Sequence, residues 1–176
     1  DRDQVVAVYI DSRNCLRVLR PGEDVLNPRL TDFLVQMTPF SRPAEANAPA
    51  RVDTAARLQD MCGPELEHDW CWAYQQADAL RDTDDWQAIS DLGAQLNPAD
   101  FSHDWQKLAL FIEADARAGR MDSAADKLTQ IAPDAVKNRV LFCAVTERWL
   151  NDLNPQDSFL NAIQKNRTKA KCKGSE

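Results

Sequence analysis

Glycine is scarce in this chain, with five in 176 residues, while alanine and charged residues are plentiful, a balance that favours helices over hairpin-rich sheet. No stretch approaches the run of about 18 apolar residues that spans a bilayer. The chain opens on Asp1 without an initiator methionine or a signal-peptide apolar core. That predicts a processed product or an excised piece, with any membrane anchor outside it. Absent too are a G-x-S-x-G elbow, a Walker loop, a G-x-G-x-x-G turn and an H-E-x-x-H helix, so acyl-transfer, nucleotide and zinc-protease chemistry lose their usual anchors.

What is present reads as one soluble domain, or one with a small appendage, long enough to bury a core without a metal or disulfide framework. Hydrophobic residues at 44% and charged residues at 28% exclude a disordered chain. The net charge of −7 is unevenly placed: from Gln164 to Glu176 five Lys or Arg face one acid, leaving −11 for the rest. An acidic body repels phosphate backbones, so no nucleic-acid partner is expected. The basic tail, residues 164–176, reads as a frayed, solvated helix end.

The first 39 residues differ in character from the rest. Val5, Val6, Val8, Tyr9 and Ile10 form one β-branched and aromatic run, and Leu16, Val18 and Leu19 form another. Asp11-Ser12-Arg13-Asn14 supplies the turn of an antiparallel hairpin, which must pack on something to be stable. Leu30, Phe33, Leu34 and Met37 then recur at helical spacing up to Pro39. Residues 40–51, with two prolines and no apolar period, read as a linker.

From Val52 to Ile163 every segment has helical periodicity. Ala55 to Met61 make a short helix stopped by Gly63-Pro64, and stripes follow at Trp70, Ala73, Tyr74, Ala77 and Leu80, and at Trp86, Ile89 and Leu92. Further stripes run through Trp105, Leu108, Ala109, Ile112 and Ala116, and through Ala124, Ala125, Leu128 and Ile131. Asn154-Pro155-Gln156-Asp157 reads as the start of a last helix through Phe159, Leu160 and Ile163.

Two landmarks share one period. His68-Asp69-Trp70 returns 35 residues on as His103-Asp104-Trp105, and Asn97-Pro98 is matched 35 residues on by Ala132-Pro133. Each interval encloses two amphipathic helices, the signature of a helical repeat. With Ala118-Gly119-Arg120-Met121-Asp122-Ser123-Ala124, Leu128, Ile131 and Pro133, the region 52–163 resembles the tetratricopeptide class. Asp84 stands where the second unit has Gly119, and Trp105 lies farther ahead of Gly119 than in that class, so a longer first helix is expected. The resemblance implies a mostly α fold, a helix-turn-helix stack beside a small N-terminal β-hairpin lobe. It further implies that a protein or peptide lies in the groove of the repeat. In the front, Cys15-Leu16-Arg17-Val18-Leu19, Asn27-Pro28 and Thr38-Pro39-Phe40-Ser41 resemble the extracytoplasmic tail of bacterial polytopic membrane proteins, some similar to glycosyltransferases that use lipid-linked sugars. That likeness implies an extracytoplasmic domain, with an accessory role in such a transferase as one alternative and a cytoplasmic location as another.

Five cysteines, Cys15, Cys62, Cys71, Cys143 and Cys172, cannot all pair within one chain. Cys62 and Cys71 flank a Gly-Pro turn, which makes a Cys62–Cys71 disulfide a candidate. Cys143, inside an apolar run, reads as a small buried hydrophobe. Cys62, His68 and Cys71, with His103, are the one conceivable zinc or thiol site. The tight C-x2-C pairs of structural zinc are absent, so neither metal nor cofactor is expected. Asp69, Asp84, Asp85 and Asp104 include chance carboxylate pairs, and Asn166-Arg167-Thr168 matches a glycosylation sequon. Trp70 and Trp105 read as knobs between helices. Trp72, two residues from Trp70 and so on another face, is either covered by the neighbouring lobe or exposed as a partner-binding anchor.

Overall fold

A computed structural model of the chain describes residues 6–10, 15–21, 23–24, 30–42, 70–97 and 105–173. The expected helix at 55–61, the turn at 11–14, the linker beyond Arg42, and Cys62, His68, Asp69, His103 and Asp104 lie outside the described residues. The chain divides into two compact units, Asp1–Gln75 and Gln76–Glu176. Seven α-helices and one two-stranded antiparallel sheet make up the regular structure of the described residues.

In the first unit, the two β-branched runs pair as β1 (Val8–Ile10) and β2 (Leu16–Val18), in the register Val8 to Val18, Tyr9 to Arg17 and Ile10 to Leu16. Because side chains alternate across a strand, Ala7, Tyr9 and Leu19 share one face. On it, Ala7, Leu19 and Leu30 form a small core, closed by Tyr9, Leu34, Val35 and Met37. Helix α1 (Asp32–Met37) supplies the last three and is capped by the Thr31 hydroxyl, which accepts from the Leu34 N–H. A 3-10 turn, Thr38–Phe40, follows without a break, with Pro39 at its start where a missing N–H costs nothing. Phe33 does not join the inward stripe the spacing suggests. It is exposed, because so short a helix offers the sheet only the side holding Leu34, Val35 and Met37.

The cysteine pairing differs from the expected one. Cys71, on helix α2 (Trp70–Arg81), is bonded to Cys15 across 56 residues of sequence, with the two Cα atoms 5.6 Å apart. It is therefore not available to Cys62. The reason is tertiary: Cys15 immediately precedes β2 on the covered face, fully buried, and its neighbour there is α2.

The second unit is helical. It contains the end of α2, then α3 (Trp86–Gly93), α4 (Trp105–Arg117), α5 (Met121–Ala135), a 3-10 turn (Val136–Asn138), α6 (Arg139–Asp152) and α7 (Asp157–Ala170). Helix α4 packs on α3 and α5, while α7 packs on α5 and α6. Gly93 lets α3 and α4 close up: a Cβ there would lie 2.7 Å from Phe111 Cδ1. The predicted α5 stripe, Ala124, Ala125, Leu128 and Ile131, is buried. Pro133 does not end this helix, which runs two residues beyond it.

Helix pairs recur at intervals of 34 to 36 residues through a third pair that lacks the His-Asp-Trp signature. First helices begin at Trp70, Trp105 and Arg139, and second helices at Trp86, Met121 and Asp157. Between each first and second helix one residue takes the left-handed conformation: Asp84 (φ 55°), Gly119 (φ 77°) and Asn154 (φ 44°), each 35 residues after the last. The first two turns share one hydrogen-bond pattern. Asp84 and Gly119 donate to the carbonyls of Arg81 and Ala116, while Asp85 and Arg120 donate to those of Leu80 and Asp115. This is the Schellman closure of a helix C-terminus. In the third turn Pro155 occupies the position of Asp85 and Arg120 and has no N–H to give. Asn154 thus ends α6 rather than capping α7, and α7 starts at Asp157 behind Gln156.

The left-handed conformation strains a residue with a Cβ by about 1 kcal/mol. Asp84→Gly is therefore expected to raise stability by about 0.5–1 kcal/mol, and Gly119→Ala to lower it by about 1 kcal/mol. At Gly119 nothing lies within 4 Å of the added Cβ, so the loss is of backbone origin alone. Urea unfolding of both variants checks the opposite signs, and equal signs would refute the shared geometry.

Candidate interaction surfaces

Helix α4 is the interior of the second unit. Trp105, Leu108, Ile112 and Ala116 of its predicted stripe are buried, but so are Lys107, Leu110, Phe111, Glu113, Ala114 and Asp115. Neighbours account for most of its circumference. Phe111 faces Gly93 of α3, and Trp105 meets Phe142 of α6 edge to face with ring centres 6.0 Å apart. Its buried acids are matched by donors. The Asp115 carboxylate accepts from Ser90 Oγ (2.6 Å), Ser123 Oγ (2.6 Å) and Lys127 Nζ (2.5 Å), which joins α3, α4 and α5. Glu113 accepts from Arg117 on its own helix and from Arg148 (2.6 Å) and Trp149 Nε1 (3.4 Å) on α6. Arg117 also lies 4.5 Å over the Trp86 ring. Carboxylates so fully occupied by cations, hydroxyls and an indole hold helices together; their lone pairs are committed to structure rather than to a reacting group.

The C-terminal segment is likewise anchored. Cys143 is bonded to Cys172, so it is one half of a cross-link and not the free hydrophobe its apolar surroundings suggested. Lys171 (φ 54°) and Cys172 close α7 by donating to the carbonyls of Thr168 and Arg167. Arg167 is buried, and its guanidinium donates to Thr146 Oγ1, to the Cys143 and Lys173 carbonyls and to Glu147. The helix expected to fray from Gln164 instead continues to Ala170. Asn166 of the sequon is buried, its amide donating to the Ala162 carbonyl, and so is not presented to a glycan.

Of the other candidate residues, Trp72 is half-buried on α2, between the covered and exposed positions its sequence context allows. Bonded to Cys15, the Cys71 sulfur is neither a thiolate ligand nor a nucleophile. Among the described residues no group of three or more His, Cys, Asp or Glu is placed to hold a metal ion. Asp85 caps α3 by accepting from the Ala88 N–H, and Asp84 sits in the turn before it. Asp91 forms a surface ion pair with Arg120, whose hydrogen bond, helped by one from Gln87, holds the Asp91 carboxyl below its ordinary range. No described helix is long and apolar enough to cross a membrane.

The feature that sequence patterning passed over is a set of exposed apolar side chains in the first unit. Val8, Ile10 and Leu16 on one face of the hairpin, together with Phe33 and Phe40, are exposed, whereas Val140 is the exposed large hydrophobic among the described residues of the second unit. The signal was in the sequence, since Val8, Ile10, Leu16 and Val18 are all apolar on the face opposite Ala7, Tyr9 and Leu19, and one helix as short as α1 covers only one face. Neither a family model, nor a curated protein, nor a solved structure matches the chain.

Proposed function

We propose that the chain is a protein-binding scaffold of tetratricopeptide-like helix pairs that works in an oxidising, extracytoplasmic compartment. The observation that carries this reading is the phase of the left-handed turn residues Asp84, Gly119 and Asn154, which recur every 35 residues through three helix pairs. Repeats of this kind stack because no pair buries its apolar stripe alone, and stacking builds the extended surface on which peptides and partner helices lie. The disulfides Cys15–Cys71 and Cys143–Cys172 support the compartment, because such bonds persist where no thiol pool reduces them. The partner is a protein or peptide.

The oxidised chain, immobilised, should retain a protein from an extracytoplasmic fraction. Val140→Glu changes an exposed side chain on the first helix of the third pair, and is expected to cut that retention by about tenfold, near 1.4 kcal/mol, with unchanged circular dichroism. Equal retention by the reduced and unfolded chain, or none from any such fraction, would overturn the reading.

A further inference from the structure

The main-chain edge of β1 carries an inference independent of the helical repeat. The Leu19 N–H donates to the Ala7 carbonyl at 2.8 Å, which sets the phase of the antiparallel ladder. With the register Val8 to Val18, Tyr9 to Arg17 and Ile10 to Leu16, Tyr9 and Arg17 exchange ladder bonds, while the Ala7 N–H donates to Ser41 Oγ. Val8, Ile10, Leu16 and Val18 therefore turn their N–H and C=O groups away from the partner strand. On β2 that outer edge is engaged: Gln75 Nε2 donates to the Leu16 carbonyl at 3.3 Å, and the Cys15–Cys71 bond adjoins it. On β1 the outward groups of Val8 and Ile10 have no hydrogen-bond partner among the described residues. Their side chains are 44% and 61% exposed, and the edge carries none of the lysines or prolines that guard exposed strands.

We infer that β1 pairs with β1 of a second copy of this chain, antiparallel about a two-fold axis through Tyr9. This occupant is favoured because the edge is self-complementary. With Tyr9 opposite Tyr9, Val8 of each copy faces Ile10 of the other, and the N–H and C=O of both residues bond reciprocally, four hydrogen bonds in all. Both cross-strand pairs are apolar, no charge opposes another, and the two hairpins become one four-stranded sheet. That exceeds the three strands a sheet needs for independent stability. The contact is short, at the small end of interfaces, below about 1,200 Å². Association is therefore weak, with a dissociation constant in the range of about 10 µM to 1 mM.

Sedimentation velocity of the oxidised chain from about 5 to about 500 µM tests this directly. The expected result is a concentration-dependent shift from monomer to dimer. Ile10→Pro removes an outward N–H without touching the β1–β2 ladder, and Ile10→Lys puts a charge on the edge at an exposed position. Each should weaken dimerisation at least about tenfold. Should the proline variant lose its fold, the lysine variant decides. Phe33→Lys, on α1 and off the edge, should dimerise like the parent. A parent that stays monomeric throughout, Ile10 variants that dimerise unchanged, or loss of the dimer only in Phe33→Lys each overturn the inference. A monomer that takes up an extended apolar peptide at β1 assigns the edge to a foreign strand and overturns it as well.

Discussion

Asp115→Ala is expected to destabilise the second unit by about 3–5 kcal/mol, a large share of the roughly 5–15 kcal/mol that holds an ordinary domain together. The carboxylate is 1% exposed and meets Lys127 Nζ at 2.5 Å, with the Ser90 and Ser123 hydroxyls at 2.6 Å. Its removal leaves a buried ammonium without a counter-charge and two hydroxyls without an acceptor, and the ammonium dominates because desolvating a charge costs more than desolvating a hydroxyl. The double variant Asp115→Leu with Lys127→Met removes both charges at once and is expected to regain most of the loss. Urea unfolding of the two single variants and the double variant measures the coupling. A cost below about 1 kcal/mol for Asp115→Ala would show that the pair is solvated in solution.

The surface pair of Asp91 and Arg120 provides the contrast. Asp91 is more than half exposed, so its loss should leave the unfolding midpoint almost unchanged. Its lowered carboxyl pKa, held down first by the Arg120 hydrogen bond, fixes the sign of its small contribution. That contribution is complete above the ordinary value of 3.8 and disappears as pH falls through the lower folded value.

Loss of the Cys15–Cys71 bond is the second change expected to have a large effect. A cross-link over 56 residues restricts the unfolded chain by about 4 kcal/mol in the loop-entropy account. Among the described residues, the first unit sets against that a core of Ala7, Leu19 and Leu30 with four half-buried neighbours, and a sheet of two strands. In the Cys15→Ser, Cys71→Ser variant, amide exchange of Tyr9, Arg17 and Leu19 should rise to nearly unprotected rates. The helical signal of the second unit should remain. The Cys143–Cys172 bond closes only 29 residues and lies beside a core that contains Trp149, Phe159 and Phe142. Its loss should loosen Arg167 and the end of α7 without unfolding the unit. Unchanged exchange in β1 and β2 after loss of Cys15–Cys71 would mean that the lobe is held by other contacts.

Local periodicity carried most of what could be read in advance. The β-branched runs became β1 and β2 because a strand needs only alternate residues that suit a pleated surface. The α5 stripe was buried as its spacing of three and four residues required. The 35-residue offset of His68 and His103 anticipated helix pairs that now extend to α6 and α7. This third pair escaped notice because it has Val140 where the others have Trp70 and Trp105. Its surviving signal was the set Asp84, Gly119 and Asn154, three residue types that tolerate the left-handed region at one spacing.

Partner choice among distant side chains was not legible. Chain proximity pointed Cys71 towards Cys62, but closeness in sequence is not closeness in space, and the fold joined Cys71 to Cys15 and Cys143 to Cys172. Periodicity assigned α4 a single apolar stripe through Trp105, Leu108, Ala109, Ile112 and Ala116, and gave no place to its Lys107, Glu113 and Asp115. Packing by α3, α5 and α6 buried them, and Asp115 and Glu113 found cations and hydroxyls on those neighbours. The amino-acid sequence thus determined where helices and strands form and the interval at which helix pairs return, since both follow from interactions within a few residues. Only the tertiary structure decided which cysteines bond, which charges are buried and which strand edge stays open, because each depends on groups 20 to 60 residues apart meeting in space.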